Sequence, residues 1–160
     1  MAILTDSGRA AVANAIKAQA LHLAWGNGSV EWDAVPPTES VSTSSLVSEV
    51  GRRKVTQVMF CVPDTNGEII VAEGRFSISQ TPTKYLYMRF AFDFADGGTE
   101  VIRELAVYVG TVAKAEVPAN QDYLLPSDVA DVGQMLSLEY IQKLTRSDQI
   151  RQQFEFVLQF

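Results

Sequence analysis

The sequence carries one histidine, His22, and one cysteine, Cys61. Neither a site with two imidazole ligands nor a thiolate cluster for zinc can be built from them, so any metal would rest on carboxylates alone. A lone cysteine also forbids an internal disulfide. Together with a start, Met1-Ala2-Ile3-Leu4, that has no basic residue, this implies synthesis in a reducing cytoplasm without secretory export. No apolar run approaches the roughly 20 residues needed to span a bilayer. Basic excess is missing too: 19 acidic residues face 13 basic ones, for a net charge of −6 and a pI of about 4.7. A nucleic-acid surface shows the opposite balance, gathered on one face. Neither nucleic acid nor membrane insertion is expected.

Motifs of catalysis are equally scarce. No G-x-S-x-G elbow occurs, and Ser7-Gly8 falls at a helix start. Gly26-Asn27-Gly28 begins like a phosphate loop, but the third glycine of G-x-G-x-x-G is replaced by Glu31. Asp93, Asp96 and Glu100 gather around Gly97-Gly98 without the spacing of a calcium loop, and read as a turn. His22, in an apolar segment, reads as a satisfied core or edge residue. No catalytic residue, metal or cofactor is assigned. Two ligand readings stay open: a carbohydrate-binding β-sandwich with Trp25, Trp32, Tyr85 or Tyr87 as a sugar platform, which needs Trp25 and Trp32 exposed side by side, and a carboxylate hydrolase at Asp93 and Asp96.

What is present is β-rich. The most prominent stretch is Val101-Ile102-Arg103-Glu104-Leu105-Ala106-Val107-Tyr108-Val109-Gly110, apart from Arg103 and Glu104 an apolar, β-branched run closed by glycine, which predicts a strand buried on much of both faces. Its two charges are costly there unless each finds a partner. Thr5 and Asp6 are cap residues for a helix over Ser7–Ala20, with Val12, Ile16 and Ala20 on the buried face. Strands are expected at Leu21–Trp25, Arg52–Val62, Glu68–Ser79, Tyr85–Phe94, Ser137–Thr145 and around the terminal Phe154, Phe156, Leu158 and Phe160. Leu86, Met88, Phe90, Phe92 and Phe94 form one core face, and Phe160 ties the end of the chain into a sheet or interface. Leu46–Val50 suits a turn of helix. Arg52-Arg53-Lys54 reads as a solvated strand start. Asn66-Gly67 signals a hairpin turn with positive φ. Ser29–Ser45, with Pro36-Pro37 and five serines, and Thr111–Gly133, with Pro118 and Pro126, are long excursions. The expectation is a single α+β domain over residues 1–160: a mainly antiparallel, sandwich-like β structure with one N-terminal helix and two long loops or arms.

Four segments carry a resemblance: Ile3-Leu4-Thr5-Asp6-Ser7-Gly8-Arg9-Ala10, Ala24-Trp25-Gly26-Asn27-Gly28, Leu46-Val47-Ser48-Glu49-Val50-Gly51-Arg52-Arg53, and Ile102-Arg103-Glu104-Leu105-Ala106-Val107-Tyr108. In this order they resemble the N-terminal domain of bacteriophage tail-collar fibre proteins. The likeness covers residues 3 to about 110, leaving 111–160 as a C-terminal extension. Ser48 stands where that family has Asn and Ala106 where it has Gly, and no repetitive shaft follows. The resemblance implies a structural virion protein of the tail or baseplate, assembled in the host cytoplasm, that acts as an adaptor and joins fibres to the tail through protein contacts. It implies partners among other tail, baseplate and fibre proteins, and a trimer or several copies in a symmetric assembly. The signature residues are then Thr5, Asp6, Gly8, Trp25, Gly26, Gly28, Glu49, Arg52, Arg103, Glu104 and Phe160. Arg103 and Glu104 are expected to fix their strand against the Thr5–Ala20 helix or the Leu46–Arg53 segment.

Overall fold

A computed structural model describes every residue from Met1 to Phe160. It is of the expected α+β class, mostly antiparallel strand with a single N-terminal helix. The helix, α1, spans Asp6–Lys17, and Thr5 caps it by accepting the Gly8 N–H at Oγ1, 3.2 Å away. In chain order the strands are β1 (Leu21–Gly26), β2 (Glu49–Lys54), β3 (Gln57–Pro63), β4 (Ile69–Val71), β5 (Gly74–Ser79), β6 (Tyr85–Phe92), β7 (Val101–Val109), β8 (Val112–Ala113), β9 (Tyr123–Leu124), β10 (Val129–Asp131), β11 (Gln134–Thr145) and β12 (Gln152–Gln159). One five-stranded sheet has the order β12-β6-β3-β5-β4, the other β11-β7-β1-β2-β9, and β8 pairs with β10. The chain divides into two compact units, residues 1–19, 55–90 and 153–160, and residues 20–54 and 91–152.

The first unit is built on the alternation of β6, which buries Leu86, Met88 and Phe90 completely. Cys61, Ile69, Phe76, Tyr87 and Val157 make a second cluster, and Phe90 meets Phe156 edge-on at 6.3 Å. Several expectations are corrected. The helix ends at Lys17 and buries Ala13, while Val12 and Ala20 are exposed: a single small residue sets the close approach. Lys17 lies half-buried, its Nζ 5.1 Å from the Phe60 ring centre. Glu68–Ser79 is two strands, β4 and β5, joined by a turn at Ala72-Glu73. Asn66 and Gly67 do not take positive φ; the turn is held by Asp64, whose Oδ1 accepts the Asn66 N–H at 2.9 Å. Arg52–Val62 also breaks in two, and Leu46–Val50 is not helical but leads into β2.

In the second unit β7 lies between β1 and β11 and is buried from Ile102 to Val109, as its composition predicts. Every residue of β1 is buried too. Trp25 is fully buried, stacked on Phe92 at 3.7 Å, and gives its Nε1–H to the Tyr123 hydroxyl at 3.0 Å. Burial pushes that phenol up to about 12. Strand β6 stops at Phe92, leaving Phe94 exposed in the turn that follows. Ala24, Leu46, Ala106 and Tyr108 form a cluster covered by Met135 and Leu138. The Ser29–Ser45 segment contains only a one-turn helix, Val30–Asp33, and the Thr111–Gly133 excursion contributes β8, β9 and β10.

His22 is buried, yet its Nδ1 has no hydrogen-bond partner, which corrects its reading as a satisfied residue. Burial first, then the charges of Arg52 and Lys54, pull its pKa from 6.5 to about 4, with Asp122 opposing. The depressed pKa means the unfolded chain binds the proton first as pH falls. Stability is therefore fully present above pH 6.5 and declines between 6.5 and about 4, by roughly 2–3 kcal/mol. Urea unfolding across that range should show this loss in the wild type and a flatter profile in His22→Gln.

Candidate functional site

The two charges of β7 turn to opposite partners. Glu104 is 1% exposed and accepts two backbone N–H groups, Ser48 at Oε1 (3.0 Å) and Val47 at Oε2 (3.1 Å). A buried carboxylate met by two donors is a strong, directional clamp, and here it fixes the chain entering β2. Arg103 is forked onto Asp33, Nε to Oδ1 at 2.7 Å and Nη2 to Oδ2 at 3.0 Å, and its Nη1 donates to the Asn27 carbonyl at 3.0 Å. Lys143 adds a second cation 3.3 Å from Asp33. Hydrogen bonds from Arg103, then from Lys143, hold the Asp33 carboxyl down at about 2, and the Asp33 carboxylate in turn raises the Arg103 pKa. Of the expected contacts, Glu104 does meet the Leu46–Arg53 segment. Arg103 instead grips the long loop.

Between the two clamps lies Gly26-Asn27-Gly28. A Cβ at Gly26 would overlap the Glu104 carboxylate and come within 2.6 Å of the Ser48 carbonyl, while Gly28, at φ +59°, lies under the Trp32 ring. The glycines thus serve close packing, and the space a phosphate would need is filled by protein. Asn27 ties the turn down: its N–H donates to the Ser48 carbonyl (2.9 Å) and its Nδ2 to Glu100 Oε2 (2.8 Å) and the Val101 carbonyl (2.9 Å). Farther along the loop, Trp32 meets Tyr140 at 4.8 Å and Glu39 Oε1 accepts the Tyr140 N–H at 3.0 Å. That N–H lowers the Glu39 pKa. Two clefts flank this contact, one of about 470 Å³ lined by Trp32, Asp33, Arg103 and Lys143, the other of about 420 Å³ lined by Val41, Thr43, Met135 and Leu138.

Arg52 corrects the solvated-cluster reading. It is 1% exposed, with both Nε and Nη2 on Glu49 at 2.8 Å and Nη1 on Thr111 Oγ1 and the Val132 carbonyl, each at 2.8 Å. Its guanidinium also stacks 4.4 Å from the Tyr108 ring centre. Trp25, buried, cannot present a sugar platform beside Trp32, so the exposed aromatic pair that reading needs does not exist. The hydrolase pair is likewise occupied: Asp96 binds Arg53 at 2.9 Å and Asp93 binds Arg151 at 2.9 Å. Thr5, Asp6, Gly8 and Phe160 belong to the other unit. There Asp6 pairs with Lys84 at 2.9 Å, and half-buried Phe160 donates its N–H to the Lys84 carbonyl.

Asp33, Tyr123 and Arg146 were not singled out from sequence, and Asn27 only as part of the Gly26-Asn27-Gly28 turn. Arg146 is 3% exposed and donates to the carbonyls of Asp93, Asp96 and Ile150, pinning the turn before β7. The only available signal was the demand of a buried Arg103 for an acid, and Asp33 lies 70 positions away.

The whole chain, residues 1–160, matches the family described as "Baseplate wedge 3 tail fiber network component". The chain belongs to that family. It is thus a structural phage tail protein of the baseplate and tail-fibre class, as the sequence resemblance had suggested at that coarser level. No curated protein matches it.

Glu104→Ala leaves two part-buried N–H groups unmet and should lower stability by about 2–4 kcal/mol. Gly26→Ala should cost a similar amount, because its Cβ meets backbone as well as side chain. Guanidinium unfolding of both variants against wild type checks this; losses under about 1 kcal/mol would contradict the clamp.

Proposed function

We propose that this chain is a non-enzymatic adaptor that joins tail fibres to the phage baseplate through protein–protein contacts, in several copies within a symmetric assembly. The observation that carries the reading is the loop between β1 and β2. Clamps at Asp33 and Glu104 hold its two ends, and along its course Val30, Val35, Val41 and Val47 are 66–109% exposed. Apolar side chains displayed on a loop anchored at both ends suit an assembly surface, because the partner pays little to order it. Three of the four collar-like motifs converge on those clamps, which supports the finer likeness to collar domains. A symmetric particle uses such an adaptor in repeated copies.

Co-expression with the neighbouring baseplate and fibre proteins tests this. Val35→Asp and Val41→Asp should leave the melting temperature within about 2 °C of wild type, since both side chains are in water. Co-purification of the tail partners should fall about tenfold or more. Undiminished co-purification by the double variant would remove the loop from the interface.

A further inference from the structure

We propose that the cleft between the β1–β2 loop and β11 is a binding site for an uncharged pyranose sugar, with Trp32 and Tyr140 as its apolar wall and Asp33 with Lys143 as the pair that reads two neighbouring hydroxyls. The cleft has a volume of about 470 Å³, and Trp32, Asp33, Arg103, Tyr140 and Lys143 are among the residues that line it. Small-molecule sites span roughly 300–1,000 Å³. A single sugar ring is of the right order.

An aromatic pair does exist here, though not the one that sequence proximity suggested. Trp32 meets Tyr140, not Trp25, at 4.8 Å with the ring planes tilted by 58°, and both rings are half-buried. Gly28, at φ +59°, gives Trp32 its seat: a Cβ there would overlap the six-membered ring of the indole. A ring held on backbone keeps its place without a ligand, and aromatic faces suit the C–H side of a sugar. Strand β11 contributes its irregular part. From Tyr140 to Leu144 it advances four residues while β7 advances two, from Glu104 to Ile102, and Ile141, Gln142 and Lys143, within that step, all line the cleft. Bulges of this kind re-aim side chains and gather beside binding sites.

The polar groups select the ligand class. Arg103 grips both oxygens of Asp33, so the carboxylate is fixed, and the aspartate side chain is still 29% exposed. Lys143, 52% exposed, holds its ammonium 3.3 Å from Asp33 Oδ2. A fixed acceptor beside a donor suits adjacent hydroxyls, one donating to the carboxylate and the other accepting from the ammonium. A carboxylate offers about four acceptor positions and an ammonium three donors, so each can take a hydroxyl without giving up its present bonds. A ligand carboxylate or phosphate would face Asp33, and a ligand ammonium would face Arg103 and Lys143. Like charges at that range repel. An uncharged ring with hydroxyls on its rim and an apolar face meets neither obstacle. The inference concerns this cleft alone and does not depend on fibre attachment.

Calorimetry and saturation-transfer NMR of the whole chain with the methyl glycosides of glucose, galactose, mannose and N-acetylglucosamine are the test. At least one should bind with a dissociation constant of about 0.1–10 mM, with saturation strongest on the C–H protons of one face of the ring. Lys143→Met should weaken that binding about tenfold or more, while the melting temperature stays within about 2 °C of wild type because the lysine side chain is largely in water. Lys143→Arg keeps a donor and should recover most of the affinity. Absence of binding by all four glycosides up to about 50 mM overturns the proposal, as does Lys143→Met binding as tightly as wild type. Inorganic phosphate bound more tightly than every glycoside, and released in Lys143→Met, would make the cleft an anion site and overturn it equally.

Discussion

Adjacent opposite charges in a buried strand survive only if groups from outside the strand come to meet them. In β7 that condition fixes much of the second unit. Glu104 draws in the backbone at Val47-Ser48 and so sets where β2 begins; Arg103 draws in Asp33 and Asn27 and so sets where the loop from β1 must pass. Both clamps need the β1 turn to lie flat against them, and only a residue without a Cβ permits this at Gly26. Removing one member of such a set is far more costly than the set is worth in net stability, because a buried charge or donor is left behind.

The same logic recurs with arginine as the centre. Arg52 holds Glu49, Thr111 and the Val132 carbonyl, joining β2 to both ends of the β8–β10 excursion, and Arg146 gathers the carbonyls of the turn before β7. A planar guanidinium with five donors satisfies several carbonyls at once, which an ammonium cannot do with the same geometry. The Thr111–Gly133 excursion and the turn before β7, which lack internal periodicity, thereby gain fixed positions.

The division between legible and illegible features follows sequence distance. The alternation in Tyr85–Phe92, the unbroken apolar run of β7 and the Thr5 cap are local patterns, and each gives its element directly. The misreadings arise where distant residues decide. Val12 looked like a core residue by spacing, but packing chose Ala13; Arg52 looked solvated beside Arg53 and Lys54, but Glu49 and Thr111 take it inside; Phe94 continued an alternating face, but β6 had already ended. Trp25 and Trp32 seemed equivalent across a turn, yet one is in the core and the other against Tyr140.

By itself the sequence determined that no pair of imidazoles and no thiolate cluster can form, the class of the fold and the burden carried by β7. Scarcity of histidine and cysteine limits ligands regardless of shape, and hydrophobic period is a property of the chain. Only the tertiary structure decided which acid answers Arg103, which donors answer Glu104 and which carboxylate meets the Tyr140 N–H of β11. Those partners lie 56 to 101 positions apart, and no local pattern encodes a contact that the fold alone brings within hydrogen-bonding distance.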